Sequence, residues 1–266
     1  MDFLDIYFSY VKMFIKSRME YRFSFFSGML ANFYCYFITY TTFWVITSKF
    51  TAIAGWSFED MSILYGLNLL TYSLAGTLFW YTVFHLENEI TTGNLDSYLI
   101  RPIGLIKQMM CRRFGDTFIG QIIVTLFFMA AAVININYRL TVWSWLYLIM
   151  AVFGGVLIQS GAMIILGSLS FWTLHSTELS DIVYYGIRNF VHYPLSIFPG
   201  YIRIILTYIF PWALINYYPS LIILRKVQTA EEFVLGIFSP VLGILFFLLS
   251  IFVFNRGLRK YTGSGS

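Results

Sequence analysis

The sequence predicts an all-α integral membrane protein with six transmembrane helices, an N-terminal amphipathic interface helix and a helical cytoplasmic loop between spans 2 and 3. Three observations carry this. The 266 residues are 59% hydrophobic and only 11% charged, where a soluble domain carries about 25% charged residues. The formal charges leave six gaps long enough for the roughly 20 apolar residues that cross a bilayer. Lysine and arginine also concentrate in alternate connections.

In chain order, residues 1–22 form the interface helix. Asp5, Ser9, Lys12, Lys16 and Glu20 recur at helical spacing. Phe3, Leu4, Ile6, Tyr7, Val11, Phe14 and Ile15 fill a wide apolar face, so the helix is expected to lie in the headgroup plane. The alternative is an extension of span 1 into the cytosol. The apolar stretch that follows is too long for a signal peptide and lacks a small-residue cleavage site, so it is expected to remain as an anchor.

The charge-free runs 23–48, 61–86, 117–138, 140–177, 204–224 and 233–255 then supply the spans. The fifth is read as a helix from Tyr201 to Tyr217, kinked at Pro211. Residues 178–203 are read as a cytoplasmic or interfacial helix leading into it, and "NYYPSLIILR" as a short helix dipping back from the far side. With the N-terminus inside, thirteen of the 17 Lys and Arg fall on the inner side, Arg188 and Arg203 among them, and both termini are cytoplasmic. The chain forms one domain, 1–266, without linker or repeat.

Several activities are excluded. The chain holds no G-x-x-x-x-G-K-[ST], H-E-x-x-H or G-x-S-x-G, so it neither cradles a nucleotide nor carries those catalytic motifs, and no cofactor is expected on it. A net charge of +4 without a basic run argues against nucleic acid. Cys35 and Cys111 form neither a disulfide framework nor a zinc site, and are read as a buried thiol and a reduced cytosolic thiol. His85, His175 and His192 are placed near the cytoplasmic boundary, in hydrogen-bonding roles. No ionisable group falls at the centre of a span so drawn, which leaves no proton or sodium relay. Uphill transport would draw its energy from outside the membrane.

Residues 87–116 are the polar exception. The second span should run past His85 through Glu87 and Glu89 and end at Gly93 in a left-handed conformation. Asn94 or Asp96 can cap a short helix, "SYLI", which Pro102 stops. In "GLIKQMMCRRFGD", Ile106, Met110 and Phe114 share a face. The result is a helix–turn–helix knob, longer than a plain connection requires.

The stretch "EITTGNLDSYLIRP" resembles the cytoplasmic signature of bacterial ABC-2-type permeases, close to E-I-x-x-G-x-L-D-x-x-L-x-R-P. Glu89, Ile90, Gly93, Leu95, Asp96, Leu99, Arg101 and Pro102 occupy its places. Thr91, Thr92 and Ile100 depart from the usual pattern. The resemblance continues through "YPLSIFPGYIRIILTYIFPWALINYYPS" and "RGLRKYTGSGS". It implies the permease subunit of an ATP-driven exporter in a bacterial plasma membrane. Two permeases, identical or homologous, would face each other above two ABC ATPase subunits, which carry ATP and magnesium. The loop, with Glu87 at its start, would be the coupling helix that seats in the ATPase. The solute would be amphiphilic or drug-like. The rival reading is a stand-alone scramblase or channel whose loop binds a regulator.

Overall fold

The computed structural model describes residues 3–50, 54–112, 115–136, 140–173 and 176–261, and every regular element among them is helical. α1 (Phe3–Arg18) passes through one 3-10 turn into α2 (Arg22–Phe50), and α3 (Phe58–Phe84) returns. Three short helices follow: α4 (Leu86–Thr91), α5 (Leu95–Leu99) and α6 (Leu105–Arg112). Next come α7 (Phe118–Asn135), α8 (Val142–Ser168) and α9 (Ser176–Arg188), then α10 (Gly200–Ile204), α11 (Tyr217–Ile223) and α12 (Ala230–Leu258).

Four stretches are long and apolar enough to cross a membrane: Phe58–Thr91, Phe118–Asn135, Val142–Phe171 and Ala230–Leu258. α2 equals them in length at 29 residues, but its many Tyr, Thr and Ser residues lower its hydropathy. Hydroxyls within these helices are satisfied locally. Thr71 Oγ1 donates to the Leu67 carbonyl at 2.8 Å, Thr77 Oγ1 to Ser73 at 2.7 Å and Thr125 Oγ1 to Gln121 at 2.8 Å. A capping box opens α12, with Glu232 N–H on Thr229 Oγ1 and Glu232 Oε2 accepting from Thr229 N–H.

α3 is the buried centre, flanked by α7 and α8, while α12 packs along α8. The α8–α12 seam runs over small residues. A Cβ added at Gly243 would fall 2.5 Å from the Gly154 carbonyl oxygen, so the two backbones approach as closely as glycine permits. Cys35 is exposed on α2 rather than buried.

The region from 176 to 224 differs from the expectation. Glu87 meets Ser176 and Thr177; the Arg188 guanidinium lies over Tyr72; His192 packs against Tyr65 at 5.0 Å; Ser196 shares a cleft with Trp56. Successive residues from 176 to 196 therefore meet progressively earlier residues between Glu87 and Trp56. α9 packs on α8, and the 3-10 turn Asn189–His192 packs on α3.

The charge-poor run 204–224 is not one straight helix. Arg203 at its start and Arg225 and Lys226 at its end line the same cleft, and its middle turns back at depth. α10 continues as the π-helical Ile205–Ile209, Phe210 breaks it, and Pro211–Leu214 begins the return through α11. The apex holds Trp212 against Tyr184 and Asn216 Nδ2 on the Val191 and Leu64 carbonyls at 2.6 and 3.2 Å. Arg203 thus sits at the end away from α4–α6, Arg188 lies inside the bundle, and His192 falls in the half away from α4–α6. His175 lies outside the described residues.

Candidate functional site

α4, α5 and α6 build a compact hairpin at one end of the bundle. Gly93 makes the first turn with φ +72°, where a side chain would be strained. Its N–H donates to the Ile90 carbonyl at 3.1 Å. α5 starts at Leu95. Asn94 occupies the capping position but makes no cap; its Nδ2 donates to Thr92 Oγ1 at 2.9 Å. Leu95, Tyr98, Leu105 and Met109 form the hairpin's buried face. Gln108 Nε2 donates to the Tyr98 carbonyl at 2.9 Å and to that of Ile103, locking α6 against α5 and its exit. Ile106 and Met110 pack on the core as the spacing required, while Phe114 lies outside the described residues.

The signature residues separate into two groups. Leu95 is fully buried, Glu89 is half-buried and Gly93 sets the turn. Asp96 Oδ1 accepts from Tyr261 Oη at 3.0 Å, which ties the hairpin to the end of α12. Leu99, Arg101 and Pro102 are exposed. The Arg101 side chain makes no hydrogen bond or ion pair with the described residues, so it does not brace Asp96. Ile100 is 85% exposed, and with Leu99 and Ile103 it forms an apolar tip around Arg101 and Pro102. Arg18 Nε lies 3.1 Å from Asp116 Oδ2 beside α6, so both ends of the bundle's chain gather at the hairpin. Burial pushes the Cys111 thiol on α6 up from its ordinary value.

Glu87 has a role that sequence reasoning missed. Its Oε2 accepts from Ser176 Oγ at 2.9 Å, Thr177 N–H at 2.7 Å and Thr177 Oγ1 at 2.7 Å. A carboxylate from the hairpin's root thus caps the first turn of α9, where the helix dipole favours negative charge. Further along α9, Arg188 is buried with its guanidinium carbon 3.4 Å from the centre of the Tyr72 ring. Tyr36, Tyr65 and Tyr184 stand close, and no carboxylate pairs with it among the described residues. Tyr184 Oη donates to Gln159 Oε1, and Gln159 Nε2 to Asn68 Oδ1 at 3.2 Å. The bundle interior therefore carries a polar belt with an ionisable residue.

The profile of the ABC-2 family transporter protein matches residues 33–265, from α2 to the end of the chain. The chain belongs to the ABC-2 family of transporter proteins. Family permeases are membrane components without an ATPase site of their own, and membership implies an ABC ATPase partner. No curated protein and no solved structure matches this ABC-2 chain. The hairpin and the α9 link of this ABC-2 protein are therefore argued from its own geometry.

Proposed function

We propose that the chain is the membrane-spanning subunit of an ATP-driven exporter in a bacterial plasma membrane, and that the hairpin is the element on which its ATPase acts. Six crossings are formed by α2, α3, α7, α8, α9 with its 3-10 turn, and α12. Both termini and the hairpin face the cytosol, the side that holds eleven of the 17 Lys and Arg. α1 lies in the headgroup plane beside α6. Two such permeases, identical or homologous, face each other, and two ATPase subunits bind ATP and magnesium beneath them. The solute is amphiphilic or drug-like.

The observation that carries this reading is the hairpin tip. Leu99, Ile100 and Ile103 are exposed around Arg101 at the end of a structure whose opposite face is locked. An exposed apolar cluster on a rigid support is a surface for a partner. The carboxylate of Glu87 passes any displacement of that support to α9. ATP-driven closure of the ATPase pair then exchanges inward-open and outward-open states through α9 and the packed helices.

The test uses Ile100→Asp and Arg101→Glu at the tip and Gly93→Val at the turn, expressed with the ATPase at matched levels. All three should insert normally. The tip variants should lose the ATPase in pull-down, and Gly93→Val should bind it weakly or hydrolyse ATP without responding to solute. Normal binding and normal solute-stimulated hydrolysis in all three would make the hairpin a mere connection.

A further inference from the structure

The end of the bundle opposite the hairpin carries a cleft that transport coupling leaves unused. It has a volume of about 490 Å³ and opens between the α2–α3 connection, the segment 196–203 and the turn from α11 into α12. Arg203, Arg225, Lys226 and one carboxylate, Glu232, line it. Lys226 and Glu232 are held by their neighbours. Lys226 Nζ lies 2.6 Å from Asp60 Oδ2 and donates to the Gly55 carbonyl at 2.8 Å. Glu232 Oε2 accepts from the N–H groups of Gln228 and Thr229 at 2.8 and 3.2 Å.

Arg203 is held differently. Its Nε and Nη2 donate to the carbonyls of Phe198 and Ser196 at 2.7 and 2.8 Å. These bonds fix the guanidinium plane without neutralising it, and no carboxylate pairs with it among the described residues. Arg203, Arg225 and Lys226 against Asp60 and Glu232 leave an excess of one positive charge around the cleft.

The backbone around the cleft is strained. Ala54 and Arg225, with φ of +50° and +55°, are the two non-glycine residues in the left-handed region among the described residues, and both line it. Such conformations persist only where the surroundings over-determine them, and they cluster at ligand sites. Trp56 and Tyr217, 5.9 Å apart, form an aromatic wall of the kind that settles at the membrane–water boundary. Tyr201, Ile204 and Tyr208, on the helix that carries Arg203, are exposed and offer an apolar track beside it.

We propose that this cleft binds an anionic phosphate ester, with Arg203 as its anchor. A planar guanidinium held by its own fork matches phosphate oxygens in geometry as well as charge. Two sources share this chemistry: the headgroup of an acidic membrane lipid, and a soluble phosphate ester. The site requires only a membrane-embedded chain and does not depend on ATP coupling, so it is tested without the ATPase.

The purified chain in a neutral maltoside is titrated with dihexanoylphosphatidylglycerol, with glycerol phosphate, and with dihexanoylglycerol as the phosphate-free control. The phosphatidylglycerol should bind and the control should not. Arg203→Gln should weaken binding by about tenfold, the loss expected for one hydrogen bond to a charged group. Arg225→Gly removes a lining cation while relaxing a strained φ, so binding should weaken several-fold with the unfolding temperature maintained. This keeps the test valid if Arg203→Gln folds poorly. Displacement of the lipid by glycerol phosphate assigns the soluble source; failure to displace it assigns the lipid. The proposal is overturned if neither phosphate probe binds, if the phosphate-free control binds equally well, or if both variants bind as the wild type does.

Discussion

Removing the Glu87 carboxylate should loosen α9 locally and measurably. One oxygen accepts three hydrogen bonds from Ser176 and Thr177, between 2.7 and 2.9 Å. Loss of a helix cap costs about 1 kcal/mol, loss of a charge at the helix N-terminus about 0.3–1 kcal/mol, and hydrogen bonds to charged groups about 1.5–3 kcal/mol. These overlap, so Glu87→Ala should cost about 2–3 kcal/mol at the first turn of α9. Glu87→Gln keeps an acceptor oxygen and should cost about 1 kcal/mol. At about 1.4 kcal/mol per tenfold, the alanine variant should open the turn roughly 30- to 140-fold more often. Hydrogen exchange followed by mass spectrometry reads this directly in peptides covering 176–184, with α8 and α12 as internal references. Unchanged exchange in 176–184 of Glu87→Ala would refute the cap. In the assembled transporter the same variant should keep its ATPase and lose solute stimulation.

Gly243→Val should separate α8 from α12, because its Cβ would meet Gly154 backbone atoms at 2.5 and 2.9 Å. A cost of about 3 kcal/mol is expected from overpacking. Gly28→Ala, with open space around its Cβ, is the control in thermal unfolding. Arg188→Met should unfold at or above the wild-type temperature, since a desolvated cation–π contact worth about 2 kcal/mol is outweighed by the several kcal/mol of burying an uncompensated charge. Arg188→Ala, which leaves a cavity, should fall below it, and an equal fall for both variants would count against this balance. In a Cys35→Ser background, maleimide should label Cys111 slowly at neutral pH. A raised pKa depletes the thiolate, so the labelling rate should rise at a more alkaline pH than for free cysteine.

The helices most legible in the sequence were those whose burial or lipid exposure excludes charge. α2, α3, α7 and α12 fall on charge-free runs within a few residues, and α8 starts with its run but ends nine residues before it. The burial of α9 within the bundle was hidden by the same rule. "STELSDIVYYGIR" carries Glu178, Asp181 and Arg188, and counting charges places such a segment outside the membrane. Its arginine is accommodated by tyrosines from α2, α3 and α9 itself, a long-range arrangement that no local pattern announces. A signal against crossing at 204–224 was nonetheless present. Four of the six prolines, Pro194, Pro199, Pro211 and Pro219, fall within that neighbourhood, and a single straight helix does not tolerate such spacing.

The hairpin divides in the same way. Gly93 and the three short helices follow from local turn chemistry. The partners of Glu87 and Asp96 lie 89, 90 and 165 residues away, beyond what a motif can specify.

The tyrosine-lined seat of Arg188 also bears on how the chain is made. An arginine costs up to about 2.5–3.5 kcal/mol at the insertion machinery, and α9, which Arg188 closes, lacks the apolar surplus to offset it alone. Tyr36, Tyr65 and Tyr72 belong to helices synthesised earlier, so the receptor for this side chain exists before α9 emerges. Trp212, which packs against Tyr184, is made only afterwards. On the proposed topology α9 should therefore enter the bilayer late, drawn from the interface by helices already assembled and held there as the segment after it folds behind. A ribosome stalled just after α9 would leave that segment accessible from the side of synthesis.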